Sequence, residues 1–141
     1  MKTKKHIETI SEVLDEITSA IKDSRGMIFH QRRLALMLSV GVASLIEIYF
    51  HKLGVMKEGS AVKHEWLKTK NAENFLQQQI VCPLNVIEHI DEIISLSKEI
   101  EEKRNELAYG SPVNKDTILK EKIEVFLKIK KIIEEKVGDI S

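Results

Sequence analysis

The sequence predicts an all-α fold: an up-and-down bundle of four long helices plus a short helix, forming one domain over residues 1–141. Apolar residues recur at spacings of three and four over long stretches, and only 2 prolines interrupt them. Ile, Leu, Lys and Glu abound, whereas aromatic residues make up only 5% of the chain, which favours helices. No stretch alternates as a strand does, and neither a repeat nor a linker divides the chain.

The first two predicted helices cover residues 4–22 and 27–53, separated by a polar break. The first carries an apolar face that consists of Ile7, Ile10, Val13, Leu14, Ile17 and Ile21. The second is apolar nearly all the way round over residues 34–48, and Gly54 ends it. We therefore expect it at the centre of the bundle, where Gly41 lets another helix approach closely and where a subunit interface could form.

The second half of the chain begins with a predicted loop over residues 55–62. A short helix over 63–68 follows, continued or restarted through 71–80. The fourth long helix is predicted to start at Pro83, which suits a first turn, and to run to Tyr109 before Gly110, with Ser111-Pro112 as the turn. The last helix is predicted from Asn114 or Asp116 to Gly138.

Charge and cysteine content exclude several classes of protein. The 22 basic side chains balance 22 acidic ones, which argues against a general nucleic-acid coat but is compatible with a local basic cleft. The single cysteine, Cys82, excludes an internal disulfide and a CxxC metal site. The first twenty residues are charged, unlike a signal peptide, and the uncharged stretch 34–45 is short for a bilayer, so we expect a cytoplasmic protein without membrane contact.

Arg104 lies near the centre of the apolar face of the fourth predicted helix. That face consists of Ile90, Ile93, Ile94, Ser97, Ile100, Arg104 and Ala108. A permanent cation there needs a partner, a ligand or a polar cavity. Alternatively, its stem lies along the core while its guanidinium reaches water.

Tyr109 follows Arg104 by five positions, which on a continuous helix directs the two side chains about 140° apart. They can therefore converge only if the last turn unwinds before Gly110, or if two subunits bring their copies together. Both routes place a cation and a phenol at a rim of the bundle, an arrangement suited to binding phosphate.

The segment from Arg104 resembles the signature of the HEPN superfamily (higher eukaryotes and prokaryotes nucleotide-binding domain). That signature is an arginine, usually followed by a polar residue, then four to six positions and a histidine. Arg104 and Asn105 match its first two positions. The longer segment 30–54, followed by 63–66, also resembles a group of small archaeal HEPN proteins.

This resemblance implies a homodimer that cleaves RNA without metal, using arginine and histidine gathered across a groove between subunits. The chain departs from the signature because Tyr109 stands at the place of the histidine. A phenol, with an ordinary pKa of about 10, is a poor base at neutral pH, although it can donate a proton or hold a phosphate. The resemblance assigns catalysis to Arg104 and Tyr109 and substrate binding to Asn105, and it implies a nucleotidyltransferase-type antitoxin as partner.

Two other basic segments are candidates for RNA binding. Lys63 and His64, followed by Trp66, could form a basic and aromatic lip on the same groove, with His64 as a replacement proton carrier. Alternatively, Trp66 packs as a hydrophobic staple and His64 is solvated. Arg32 and Arg33, with neighbouring His30, could contact RNA phosphates or simply form the solvated start of a helix.

The sequence predicts neither a metal nor a cofactor. The segment 88–92 and the pair Glu47/His51 place histidine beside carboxylates, but without the repeated spacing that metal sites in bundles use. Three interpretations of function remain open. The first is a toxin-type protein that engages RNA or nucleotide phosphates, with endoribonuclease activity. The second is a non-catalytic module that pairs with a nucleotidyltransferase, and the third is a structural bundle in which Arg104 pairs with an acidic neighbour.

Overall fold

The computed structural model describes residues 2–102, 104–110 and 116–140, and over these residues the chain folds as an all-α bundle, which confirms the predicted fold class. The long helices are α1 (Lys2–Lys22), α2 (Gln31–Leu53), α4 (Ile90–Glu101) and α6 (Thr117–Val137), and the short ones are α3 (Ala72–Gln77) and α5 (Arg104–Tyr109).

Helix α2 occupies the centre of the bundle, as its pattern predicts. It packs against α1, α6, α5 and α4, and every residue from 41 to 50 is buried. Gly41 is the point of closest approach, because a Cβ there would lie 2.8 Å from Cε1 of Phe126 and 3.1 Å from Cγ2 of Val13. Only a residue without a side chain lets α1 and α6 meet α2 at this distance.

The same region has the length and composition of a membrane-spanning helix. Within the segment Met27–Leu53 the most apolar window of 18 residues has a mean hydropathy of 1.7, and 78% of that window is buried inside the bundle. The prediction that this region is too short to span a bilayer was therefore wrong, because the apolar helix extends well beyond residues 34–45. Most of this window nevertheless lies inside the bundle, where it packs against the other helices.

Between α2 and α4 the chain forms short elements that cover one end of the bundle. Gly54 ends α2 in the left-handed region, at φ 72°, as a helix-terminating glycine does. A 3₁₀ helix over His64–Lys68 packs against α2 and α4, and α3 follows it as a separate helix. Met56 pairs with Ile80 in an isolated antiparallel bridge, which ties the two ends of this region together.

The prediction of one continuous fourth helix from Pro83 to Tyr109 is wrong in two respects, its start and its continuity. Pro83 precedes only a 3₁₀ turn over Leu84–Val86, and α4 begins at Ile90, after His89 in a left-handed conformation with φ 62°. The hydroxyl of Tyr49 donates a 2.8 Å hydrogen bond to the carbonyl oxygen of Glu88, which helps to fix this turn. Glu102 is extended, with ψ 128°, so α4 and α5 are separate helices.

Helix α6 closes the bundle against α2 and α4. It begins at Thr117 with Asp116 before it, within the predicted range, and ends before Gly138. The predicted turn at Ser111-Pro112 and the alternative helix start at Asn114 lie outside the described residues.

Candidate functional site

Arg104 and Tyr109 face different directions on α5. The backbone N–H of Gly110 donates a 2.7 Å hydrogen bond to the carbonyl oxygen of Glu106, so the last turn of α5 remains helical. Tyr109 is 70% exposed, whereas the side chain of Arg104 is only 15% exposed. The first predicted route to convergence is therefore wrong, and within one chain the two side chains stay about 140° apart.

The guanidinium of Arg104 lines a pocket of about 180 Å³ together with Lys68, Glu101, Asn105 and Glu106. Its Nη1 donates a 3.1 Å hydrogen bond to Oδ1 of Asn105, so the polar residue after the arginine orients it. Its Nε is buried and makes no hydrogen bond to any described residue. Oε2 of Glu101 lies 3.9 Å away, which is within reach of an ion pair but too long for a hydrogen bond.

Glu101 is buried beneath this pocket and connects it to His64. The carboxylate is only 2% exposed, and its Oε1 accepts a hydrogen bond from Oγ of fully buried Ser39. The same Oγ lies 3.2 Å from Nδ1 of His64. The interruption of the helix at Glu102 lies between Glu101 and Arg104. Both of these side chains line the pocket, but Glu101 is buried at its base and Arg104 is partly exposed.

The 3₁₀ helix that carries His64 is held on the bundle by its aromatic residue. Trp66 stacks on Phe75 with ring centroids 5.1 Å apart, and Nζ of Lys63 lies 6.0 Å from the centroid of Trp66. Both interpretations of this segment therefore apply in part. Trp66 packs as the staple alternative requires, yet His64 is half-buried and joined to Glu101 through Ser39.

Arg32 lies at the carboxyl end of α5. Its Nε donates a 2.9 Å hydrogen bond to the carbonyl oxygen of Ala108, and Nε2 of Gln31 donates one of 3.0 Å to that of Leu107. These are carbonyls that a helix end leaves without intrahelical partners. The start of α2 thus fixes the end of α5 and places a basic residue beside Tyr109.

Arg33 and His30 belong to a different cluster, at the turn between α1 and α2. Nδ1 of His30 lies 2.6 Å from Oε2 of Glu16, and its Nε2 lies 2.9 Å from Oδ2 of Asp23. Nε of Arg33 lies 3.4 Å from Oε2 of Glu16. Hydrogen bonds from the side chain and the backbone N–H of Arg25, and then from His30, hold the pKa of Asp23 well below its ordinary value. His30 is buried here and has a structural role, and neither it nor Arg33 makes a described contact with Arg104.

The comparisons with known proteins add no relative. No family model, no curated protein and no solved structure matches this chain significantly. The HEPN resemblance therefore stays a prediction that rests on the residues of this chain.

A metal centre is not formed by the described side chains, because no group of three or more His, Cys, Asp or Glu is arranged to hold an ion. At Glu47 two histidines meet a carboxylate: His6 contacts Oε2, and His51 lies 3.7 Å from the same atom. The backbone N–H of Val62 donates a 2.8 Å hydrogen bond to Oε1 of Glu47. This cluster links α1, α2 and the following loop.

Sequence reasoning missed Ser39, Glu101 and Lys68. For Glu101 the signal was present: at 100° per residue it falls between Ile94 and Ser97 on the apolar face, so a buried carboxylate could have been predicted. Ser39 gave no signal, because a serine within an apolar helix more often bonds to its own backbone.

Proposed function

We propose that this protein binds the phosphate groups of RNA at Arg104 and acts in the cytoplasm as a HEPN-like, toxin-type endoribonuclease that requires no metal. The observation that carries this proposal is the state of Arg104. Its guanidinium is largely buried, it is oriented by Asn105, and its Nε has no hydrogen-bond partner among the described residues. A buried donor without a partner is unfavourable in a folded protein unless a ligand satisfies it.

The charges around the pocket fit a phosphate better than a neutral ligand. Lys68 lines the pocket together with Arg104, while Lys63 lies at the start of the same 3₁₀ helix. Of the two carboxylates, Glu101 already accepts a hydrogen bond from Ser39, and Glu106 is exposed. An arginine fork also binds a phosphate through two parallel hydrogen bonds, which a lysine cannot do.

In the proposed reaction the ribose 2′-hydroxyl attacks the adjacent phosphorus, and the bond from phosphorus to the 5′-oxygen breaks. Arg104 stabilises the negative charge that grows on the phosphate oxygens in the transition state. Because Tyr109 points away from Arg104 within one chain, a groove that contains both requires a second copy. We therefore propose a homodimer whose α5 helices face each other.

The first experiment measures binding of a fluorescein-labelled single-stranded RNA by anisotropy, with EDTA present. Arg104→Ala is expected to weaken binding about tenfold or more, the loss expected for a charge-assisted hydrogen bond to phosphate. Arg104→Lys should recover only part of it, since the charge returns without the fork. Arg25→Ala is the matched control, because Arg25 pairs with Asp23 at another turn.

The second measurement is cleavage of the same RNA by wild type, Arg104→Ala and Tyr109→Phe, again in EDTA. Loss of cleavage in both variants, with the helical circular-dichroism signal and the dimer intact, supports the nuclease. Equal RNA affinity for wild type and Arg104→Ala contradicts the phosphate site itself. A monomer in solution contradicts the shared groove.

The alternative is a non-catalytic HEPN-like module that binds nucleotides and pairs with a nucleotidyltransferase-type antitoxin. One observation favours it: Tyr109, at the place of the signature histidine, is exposed and has no described hydrogen-bond partner. RNA or nucleotide binding that depends on Arg104, without cleavage of several RNAs by the wild type, selects this alternative.

A further inference from the structure

The fold connects His64 to Arg104 through two side chains. Nδ1 of His64 lies 3.2 Å from Oγ of Ser39, this hydroxyl donates to Oε1 of Glu101, and Oε2 of Glu101 lies 3.9 Å from Nε of Arg104. The four residues come from the 3₁₀ helix, α2, α4 and α5. The chain therefore links an imidazole to the proposed phosphate site through buried side chains, although no histidine follows Arg104 in sequence.

Hydrogen-bond stoichiometry fixes the proton on His64. A serine hydroxyl has one proton, and Ser39 gives it to Glu101, since an ionised carboxylate can only accept. Oγ of Ser39 must then accept from Nδ1 of His64, so Nδ1 carries the proton. In the neutral ring, Nε2 is left with a free electron pair and can take up a proton.

Nε2 of His64 faces a carboxylate whose side chain is largely exposed. Nε2 lies 3.1 Å from Oε1 of Glu65, whose side chain is 59% exposed. The other charged groups on the elements packed against His64 are Lys63 and Lys68 at the two ends of the same short helix, Glu101 of α4, which reaches His64 through Ser39, and Arg104 of α5, which faces Glu101. A carboxylate only accepts, so the contact of Glu65 with Nε2 is favourable only while Nε2 also carries a proton. In the neutral ring two acceptors would face each other, and the exposed side chain of Glu65 turns to water and leaves Nε2 to a substrate hydroxyl.

We propose that His64 is the catalytic base of this site, and that Ser39 and Glu101 are positioning residues that hold its ring in the Nδ1-protonated form. The inference rests on the proposed function. Nε2 of His64 takes the proton of the ribose 2′-hydroxyl while the 2′-oxygen forms its bond to phosphorus. The bond from phosphorus to the 5′-oxygen breaks, and the leaving 5′-oxygen takes a proton from a solvent water. The resulting hydroxide recovers the proton from the imidazolium, so the cycle balances with a 2′,3′-cyclic phosphate and a 5′-hydroxyl as products.

Buried Glu101 favours this reaction by acting through Ser39. When His64 becomes an imidazolium, its Nδ1–H continues to donate to Ser39, which continues to donate to the carboxylate. A carboxylate that orients a histidine and stabilises its charged form has the same effect in other hydrolytic sites. Tyr109 then needs no role as a base.

The first arm of the test does not depend on activity. Long-range ¹H–¹⁵N correlation spectra are recorded at about pH 8.5, two units above the ordinary histidine pKa of about 6.5, where an ordinary imidazole is neutral. Comparison with His64→Gln identifies His64 among the 5 histidines. We expect the Nδ1–H tautomer in the wild type and a mixture with the Nε2–H tautomer in Ser39→Ala.

Ser44→Ala is the matched control for this arm. Ser44 is also buried on α2, and its Oγ lies 3.1 Å from Nδ1 of a different histidine, His6. This variant should move the signals of His6 and leave those of His64 unchanged. An Nε2–H tautomer of His64 in the wild type, or a Ser39→Ala spectrum equal to that of the wild type, overturns the inference.

The second arm measures metal-free RNA cleavage between about pH 5 and pH 8, a range centred on the ordinary histidine pKa. His64→Gln should lower kcat about 100-fold or more, the usual effect of removing a general base. Its affinity for an RNA with a 2′-deoxy nucleotide at the cleavage site should remain that of the wild type. Ser39→Ala should lower kcat about tenfold and displace the acid limb of the pH profile, which a purely structural role would leave in place.

The outcomes separate this inference from the proposed function. A wild type that binds RNA through Arg104 while His64→Gln retains kcat within about threefold overturns the role of His64 and leaves the phosphate site standing. A wild type that binds but does not cleave has the same consequence. A wild type that does not bind RNA contradicts both.

Discussion

Ser39 and Glu101 lie 62 positions apart in sequence, yet the buried hydroxyl of the one donates a hydrogen bond to the buried carboxylate of the other. This contact joins the central helix α2 to Glu101, the last residue of α4. The extended residue Glu102 follows and separates α4 from α5. The hydrogen bond from Ser39 keeps one carboxylate oxygen occupied while the other faces Arg104. This hydrogen bond thus connects the core of the bundle to the candidate phosphate site.

Replacing Ser39 by Ala should lower the free energy of unfolding by about 1–3 kcal/mol, because it leaves a charged acceptor buried without its donor. The variant should still fold, since the change removes one atom and adds no volume. Urea unfolding followed by circular dichroism measures the difference. Ser95→Ala, at an exposed position of α4, should be close to neutral. Equal losses in both variants would mean that the bond from Ser39 contributes nothing.

Glu47 should make the stability of the fold depend on acid pH. Burial by itself raises the pKa of Glu47, but hydrogen bonds from His6 and from the N–H of Val62, with the charges of His6 and His51, bring the pKa below its ordinary value of 4.5. A carboxyl whose pKa is lowered by folding contributes stability that is present above its unfolded pKa and disappears as the pH falls through its folded pKa.

The comparison of wild type with Glu47→Gln tests this dependence. At pH 7 the variant should be less stable by about 1–3 kcal/mol. The difference should shrink as the pH falls below the ordinary pKa of 4.5, because the wild type then loses the same charge. Urea titrations at a series of pH values measure it, and a difference that stays constant into the acid range would contradict the assignment.

Gly41→Ala should destabilise the bundle by about 1–3 kcal/mol through overpacking, since its Cβ would lie 2.8 Å from an aromatic carbon of Phe126. Thermal unfolding gives the direction, and urea unfolding gives the magnitude. The double variant Gly41→Ala/Phe126→Leu should lose less than the sum of the two single variants, because the smaller side chain makes room for the methyl group. Additive losses in the free energy of unfolding would mean that the added methyl group does not clash with Phe126.

Glu106→Gln should strengthen RNA binding by about two- to threefold at low salt, because it removes an exposed negative charge from the wall of the pocket that holds Arg104 and Lys68. Anisotropy titrations at low and high salt should show the gain and its decrease with ionic strength. Glu135→Gln, exposed on α6, is the control and should change the affinity less. If both variants gain equally, only the net charge of the protein matters, and the pocket does not direct binding.

Much of the fold could be predicted from the sequence because local patterns determine it. The spacing of apolar residues predicted an all-α fold. Helix α2 is apolar on nearly all of its faces, and this pattern predicted its position at the centre of the bundle. Gly54 and Gly110 marked helix ends: Gly54 is left-handed, and a Cβ at Gly110 would clash with the carbonyl oxygen of Glu106. The start of α4 was missed because Pro83 fits a first helical turn, whereas tertiary contacts such as those from Tyr49 to Glu88 and from Gln77 to Leu84 hold a different turn there.

The candidate site was predictable only in part. The sequence by itself determined that Arg104, Asn105 and Tyr109 share a helix that ends at Gly110, and that an arginine on an apolar face needs a partner or a ligand. Only the tertiary structure decided that Glu102 interrupts this helix, that Arg32 lies at the end of α5, and that His64 reaches Glu101 through Ser39. Periodicity reports which residues share a face within one helix, whereas contacts between residues far apart in sequence depend on how the helices pack.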